Sequence, residues 1–123
     1  MKAMMRLVLA WVVGLFLWLS AVNAVQAEDL PADLPVGLQT GAHVFEAHCA
    51  GCHIHGGNIV RRGKNLKQKT LERHGYDTVD AIAQLVTYGK GNMSAYADRL
   101  TQEEIEAVAA YVLDQAASNW PKS

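Results

Sequence analysis

Cysteine is scarce in this sequence. Of 123 residues only Cys49 and Cys52 are cysteines, and a bridge between them would close a tiny loop that restrains the unfolded chain little. Charge of one sign is lacking too: 11 Lys and Arg face 12 Asp and Glu, a formal charge of −1. With no basic excess and no aromatic stacking platform, no nucleic-acid partner is expected. Neither an internal repeat nor a low-complexity tract interrupts the chain, which excludes repeat arrays. No segment alternates convincingly with the two-residue period of a strand. Methionine is thin as well: Met1, Met4 and Met5 lie at the very start, and Met93 is the one other.

The long apolar run is confined to the N-terminus. MKAMMR supplies Lys2 and Arg6, LVLAWVVGLFLWLSAV follows, and the small residues of NAVQA lead to Glu28 and Asp29. A basic start, an apolar middle and a small-residue exit make a secretory signal peptide. We place it at residues 1–27, with cleavage after Ala27 and an alternative after Ala24. A retained membrane anchor is the competing reading, but the run is short of the roughly 20 residues a span requires. No stable membrane insertion is therefore expected after cleavage. Residues 28–123 then form a single domain with 9 basic and 12 acidic residues, a formal charge of −3. A core of that size is marginal alone, so a bound cofactor is expected to supply stability.

Four helices are expected. EDLPADLPVG, residues 28–37, reads as an irregular arm. A first helix over residues 38–50 puts Gly41, Val44, Phe45 and His48 on one face. A glycine-rich loop, GGNIVRRGKN, follows. A short helix over residues 67–74 ends at Gly75. Thr78 caps a third, with Asp80 in its first turn. Its stripe is Val79, Ile82, Ala83 and Val86, and Gly89 stops it. Thr101 and Glu104 form a capping box for the last helix, whose buried stripe is Ile105, Val108, Ala109, Val112 and Ala116. The expectation is an all-α fold of about four short helices wrapped around something large.

Both cysteines lie in EAHCAGCHIHGG, and Cys49-Ala50-Gly51-Cys52-His53 is C-x-x-C-H, the attachment signature of c-type haem. Two thiols at this spacing add across the two vinyl groups of a porphyrin, and the following imidazole, His53, reaches the iron. A structural zinc site would need two more ligands from the scattered His43, His48, His55 and His74, which are read as surface or loop residues. A thioredoxin-like dithiol needs a βαβ setting. A plain disulfide stays open in an exported protein. Met93, in YGKGNMSAY, is the candidate second axial ligand, against the alternative of a loop methionine filling a core gap. His/Met ligation raises the potential and leaves no open position, which suits electron transfer rather than catalysis. No enzymatic activity is expected.

From Gly41 to Trp120 the chain resembles the cytochrome c6 family, the small class I cytochromes of cyanobacterial and algal thylakoids. The likeness rests on GAHVFEAHCAGCH, GGN, AIAQLVTYGKGNMSAY, RLTQEEIEAVAAYVLDQ and Trp120. It implies a class I cytochrome c fold around one covalent haem c, with thioethers at Cys49 and Cys52 and axial ligands at His53 and Met93. It also implies that the first and last helices cross near Gly41, Phe45 and Tyr111, and that Arg99 takes part in partner docking. Two departures point to the cyanobacterial c6-like B and C branch. Leu85 stands where cytochrome c6 proper usually has a glutamine beside the haem, and the loop HIHGGNIVRRGKNL is longer and more basic. In that branch the resemblance implies a lower potential. Arg61, Arg62 and Lys64 are read either as a solvated loop, as a contact to a haem propionate, or as a greeting surface for an acidic partner.

The function expected is one-electron transfer in photosynthesis or respiration, from a cytochrome bf-type donor to photosystem I or a terminal oxidase. The compartment expected is the thylakoid lumen or periplasm. The alternatives are a haem-based sensor in which Met93 is displaced, and a haem-free helical interaction module stapled by a disulfide.

Overall fold

The computed structural model describes residues 35–121; the expected leader at residues 1–27 and most of the arm at 28–37 lie outside them. Pro35 opens helix α1 (Val36–His48). Its ring holds φ at −50°, and its carbonyl oxygen accepts the N–H of Leu38 at 2.8 Å and of Gln39 at 3.1 Å. The helix therefore starts before the expected residue 38, and Val36 and Gly37 belong to it rather than to the arm. It also ends early. Cys49 leaves the helical run with φ −117°, and a separate single turn, α2 (Ala50–His53), resumes behind it. The N–H groups of Cys52 and His53 both donate to the Cys49 carbonyl, at 3.1 and 2.9 Å.

Two 3₁₀ turns, Ile54–Gly56 and Arg62–Lys64, carry the chain onward. Helix α3 (Gln68–His74) stops on Gly75, whose φ of +70° is the left-handed cap that glycine adopts without penalty. Helix α4 (Val79–Tyr88) begins with the Ala81 N–H donating to Thr78 Oγ1 at 3.2 Å. Helix α5 (Gln102–Ala117) opens with a reciprocal capping box. Glu104 N–H donates to Thr101 Oγ1 at 3.2 Å, and Thr101 N–H donates to Glu104 Oε2 at 2.8 Å. Among the described residues there is no strand, only an antiparallel bridge between Lys90 and Met93. The all-α expectation stands, with the C-x-x-C-H turn as a fifth, separate helical piece.

The predicted stripes form the core. Ile105, Val108, Ala109, Val112 and Ala116 of α5 are all buried, as are Ile82, Ala83 and Val86 of α4 and Val44 and Phe45 of α1. Each of the larger aliphatic side chains contributes about 1.5–3 kcal/mol on burial. Val79 is half-buried, and His48, expected on the buried face, is exposed, because α1 ends there.

Helices α1 and α5 cross at close range. A Cβ at Gly41 would strike the Ala107 carbonyl oxygen and come within 2.8 Å of Tyr111 Cβ. Beside that contact Phe45 packs against Tyr111 and Trp120, with ring centroids 5.5 and 5.1 Å apart. Trp120, 7 % exposed, lies beyond the end of α5 and donates its indole N–H to the Leu66 carbonyl at 3.0 Å. The crossing thus joins both ends of the domain to its middle. Gly41→Ala should destabilise the protein by about 1–3 kcal/mol through overpacking against rigid backbone, read as a lower denaturant midpoint. An unchanged midpoint would remove the tight crossing from the account.

Candidate functional site

Between α1, α4, α5 and the two long loops lies a cavity of about 310 Å³. That is at the small end of ordinary ligand pockets, roughly 300–1,000 Å³. Its floor is apolar: Leu71, Ile82, Val86, Val108 and Val112 are each at most 5 % exposed. Cys49, Cys52 and His53 line it from the α1–α2 break, and Met93 lines it from the loop after α4.

The break in the helix explains the first group. Residues 49–53 make one turn, so both thiols and the imidazole open onto the same space. No disulfide joins Cys49 to Cys52. Burial, and then the neighbouring Cys52, push the Cys49 thiol up to about 11, so it keeps its proton at neutral pH. Behind His53 the backbone folds tightly, with His55 at φ +49° and Gly56 at φ +70°. A Cβ on Gly56 would collide with the Trp120 indole. Gly56 in turn accepts the Leu66 N–H at 2.7 Å. This turn brings the Gly57 carbonyl oxygen to 3.0 Å from His53 Nδ1. An acceptor there keeps the proton on Nδ1 and leaves the lone pair on Nε2, the nitrogen available to a metal.

The Met93 loop is fixed at both ends. Lys90 and Met93 exchange two backbone hydrogen bonds, at 3.0 and 3.1 Å. Tyr96 N–H donates to the Val86 carbonyl at 3.0 Å, and Tyr96 Oη–H reaches across to the His48 carbonyl, also at 3.0 Å. The ring of His48 stands edge-on to Tyr96 at 5.9 Å. Gly89 closes the loop: with φ +68°, a Cβ there would come within 2.7 Å of the Ala95 nitrogen.

The other expected residues divide. Leu85, Arg61 and Lys64 line the cavity; Gln84 is exposed. Arg62 does not line it. Arg99 stands outside, with its guanidinium 4.5 Å over the Tyr96 ring, donating to the Ala95 carbonyl at 3.0 Å and 3.6 Å from Asp98. His43 and His55 are exposed, whereas His48 and His74 border the cavity. Among the described residues no three His, Cys, Asp or Glu side chains gather as a metal cluster, which weighs against zinc.

The donor set fits a flat apolar prosthetic group with anionic substituents. Two cysteine side chains one turn apart, an imidazole with Nε2 available and a thioether share an apolar cavity. The lining includes Arg61, Lys64 and Lys90 and, among the described residues, no carboxylate. An all-α shell around that set defines a class I c-type cytochrome.

Comparison with known proteins agrees. The family model described as cytochrome c oxidase, cbb3-type, subunit III matches residues 37–112. A cytochrome c6-like protein of Nostoc sp. is 60 % identical over 80 residues, covering 65 % of this chain and 72 % of that protein. The crystal structure of cytochrome c6C from Synechococcus sp. PCC 7002 is 64 % identical with a TM-score of 0.64, covering 66 % of this chain and 99 % of that one. That of cytochrome c6B from Synechococcus sp. WH8102 is 47 % identical with a TM-score of 0.66, covering 73 % and 100 %. The chain belongs to the cytochrome c domain family and, within it, to the cytochrome c6 family, alongside its c6B and c6C members. It is accordingly a haem c electron-transfer protein, with one covalent haem, and not an enzyme.

Three supporting residues escaped sequence reasoning. Gly56 and Asn58 were visible only as loop breakers, and Tyr96 only as part of a resemblance. The signal for Gly56 is a positive φ that no periodicity reports. Tyr96→Phe removes the tie to His48 and should cost about 1 kcal/mol. Amide exchange at Lys90 and Met93 should quicken in the same variant; unaltered exchange would show that the tie does not hold the loop.

Proposed function

We propose that this chain shuttles single electrons with Cys49 and Cys52 joined to the haem by thioethers and His53 and Met93 on its iron. The observation that carries the reading is the placement of all four side chains around one apolar cavity. The haem supplies the redox centre when bound. The chain's residues bind it, orient it and keep water from it. The Gly57 carbonyl aims His53, and the Lys90–Met93 bridge aims the thioether.

The sensor alternative requires Met93 to swing away. The bridge and the two Tyr96 hydrogen bonds restrain that loop, which supports the closed, six-coordinate reading. Removal of residues 1–27 and export to a thylakoid lumen or periplasm complete the proposal. Among the described residues no helix is long and apolar enough to cross a membrane. A cytochrome bf-type complex is the proposed donor, and photosystem I or a terminal oxidase the acceptor. Arg99, braced on Tyr96, is a proposed docking residue, and Arg61 and Lys64, on the cavity wall, are proposed partners for haem propionates.

Carbon monoxide added to the reduced mature protein should leave the Soret band in place. Met93→Ala should make the band shift, and should lower the midpoint potential by roughly 0.1 V or more, a fraction of the about 0.8 V that axial ligands span. Native optical and redox behaviour in that variant would remove Met93 from the iron. Leu85→Gln should raise the potential toward that of cytochrome c6 proper. An unmoved potential would take Leu85 out of the account.

A further inference from the structure

Beyond helix α5 the backbone adopts a conformation that side chains rarely accept. Asn119 N–H donates to the Ala116 carbonyl at 3.1 Å, and Trp120 N–H donates to the Gln115 carbonyl at 2.8 Å. This pair of bonds is a Schellman ending, and it puts Asn119 at the left-handed position, with φ +58°. Asparagine tolerates that region. Trp120 follows with φ +53°, where a bulky residue is an outlier. Such a conformation persists only where its surroundings over-determine it, and it gathers where a group must sit in one place.

Trp120 is held from several sides. Its indole is 7 % exposed and donates its N–H to the Leu66 carbonyl at 3.0 Å. The ring lies tilted against Phe45 at 5.1 Å and edge-on to Tyr111 at 6.3 Å. It also lies against Gly56, where no Cβ fits. Leu66 and Gly56 are themselves joined, the Leu66 N–H donating to the Gly56 carbonyl at 2.7 Å. Gly56, Leu66 and the indole therefore form a closed set, each fixed by the other two.

That set borders the turn that carries the acceptor for His53. The peptide unit between Gly56 and Gly57 is bonded at both polar atoms, because Gly57 N–H donates to the Ile54 carbonyl at 2.9 Å. The Gly57 carbonyl oxygen projects from the next unit, 3.0 Å from His53 Nδ1. An outer hydrogen bond of this kind orients a ligating imidazole and raises its basicity. Its strength depends on where the turn sits, and the indole is the side chain packed against that turn.

We propose that Trp120 is a positioning residue for His53: the C-terminal hook, residues 118–120, holds the Gly56–Gly57 turn against the imidazole and so sets the strength of the Nδ1–H bond to Gly57. This rests on the reading of His53 as an iron ligand and deepens it by naming what tunes that ligand. A firm bond makes the imidazole the stronger electron donor, which favours ferric iron and lowers the potential; a slack bond raises it. Simple loosening of the core acts with the opposite sign, because water admitted to the cavity stabilises the charged ferric state and lowers the potential.

The test uses the mature, haem-loaded protein. Trp120→Phe keeps an aromatic ring beside Gly56 and removes the donor to Leu66. The ferrous-to-ferric ratio at a fixed applied potential should rise about threefold, which is about 30 mV at about 59 mV per tenfold for one electron. The His53 Nδ1 proton, followed by nuclear magnetic resonance, should exchange with solvent about tenfold faster or more. Thr101→Ala weakens α5 from its far end by removing the cap, and should move neither reading. An unchanged or lowered potential in Trp120→Phe, an unchanged Nδ1 exchange, or equal changes in Thr101→Ala would overturn the proposal.

The native protein supplies a second measurement that does not depend on the variant folding. In mild denaturant the Trp120 indole proton, the Leu66 amide and the His53 Nδ1 proton should exchange through one shared opening. A Nδ1 proton that exchanges through a separate, faster opening would overturn the hook. If the His53 ring resonances were not displaced by the porphyrin, the ligand reading would fail instead, and the shared exchange alone would support or overturn the hook.

Discussion

The close approach of α1 to α5 at Gly41 sets the geometry on which the rest of the molecule depends. With no side chain at that position, α1 lies against the Ala107 carbonyl and the Tyr111 side chain, and its last turn is held at a fixed place over the core. There α1 breaks, and Cys49, Cys52 and His53 open onto the cavity from a single resumed turn. A crossing displaced by even a methyl group would move that turn relative to the wall that carries Met93. Trp120 reinforces the arrangement. It packs at a tilt against Phe45 at the crossing, lies against Gly56 behind the imidazole and bonds to Leu66. One indole therefore links the helix crossing to the backbone turn that orients His53.

Much of this was written in local sequence. The α5 stripe and its Thr101–Glu104 capping box, the Thr78 cap and the Gly75 stop all follow from short-range chemistry, and each is found in place. The cysteine spacing named the site for the same reason: covalent attachment to a rigid group restricts residue type and interval together. What escaped was what depends on the third dimension. His48 shares a helical face with Val44 and Phe45 in sequence, yet it is exposed because the chain breaks at the next residue. Helix α1 starts two residues before the expected position because Pro35 opens it, its carbonyl accepting the N–H groups of Leu38 and Gln39. Tyr96 could not be assigned, since its partner, the His48 carbonyl, is 48 residues away. Asn58 looked like a loop breaker, and its clamp on both sides of Arg61 and Arg62 needs coordinates to be seen.

The polar groups of the site divide the labour. Backbone carbonyls and loop bridges hold His53 and Met93, the two proposed ligands, while cationic side chains are kept to the cavity margin. Among the described residues no carboxylate lines the cavity, so none of them competes with a negatively substituted ligand for those cations. Leu85 adds an apolar side chain to the cavity wall. A drier wall by itself disfavours the charged ferric state and raises the potential. The Leu85→Gln variant proposed above weighs that effect against the dipole an amide would add.

The central proposal is that the His53 imidazole and the Met93 thioether would both hold the haem iron. Met93 is the sole methionine in residues 28–123, so methyl-labelled methionine gives the mature protein a single probe. In the reduced state, a methyl group bonded through sulfur to the iron lies in the shielding cone of the porphyrin. The account predicts one methionine methyl resonance displaced far upfield in the proton spectrum. A methyl resonance at its ordinary position in haem-loaded protein would contradict it.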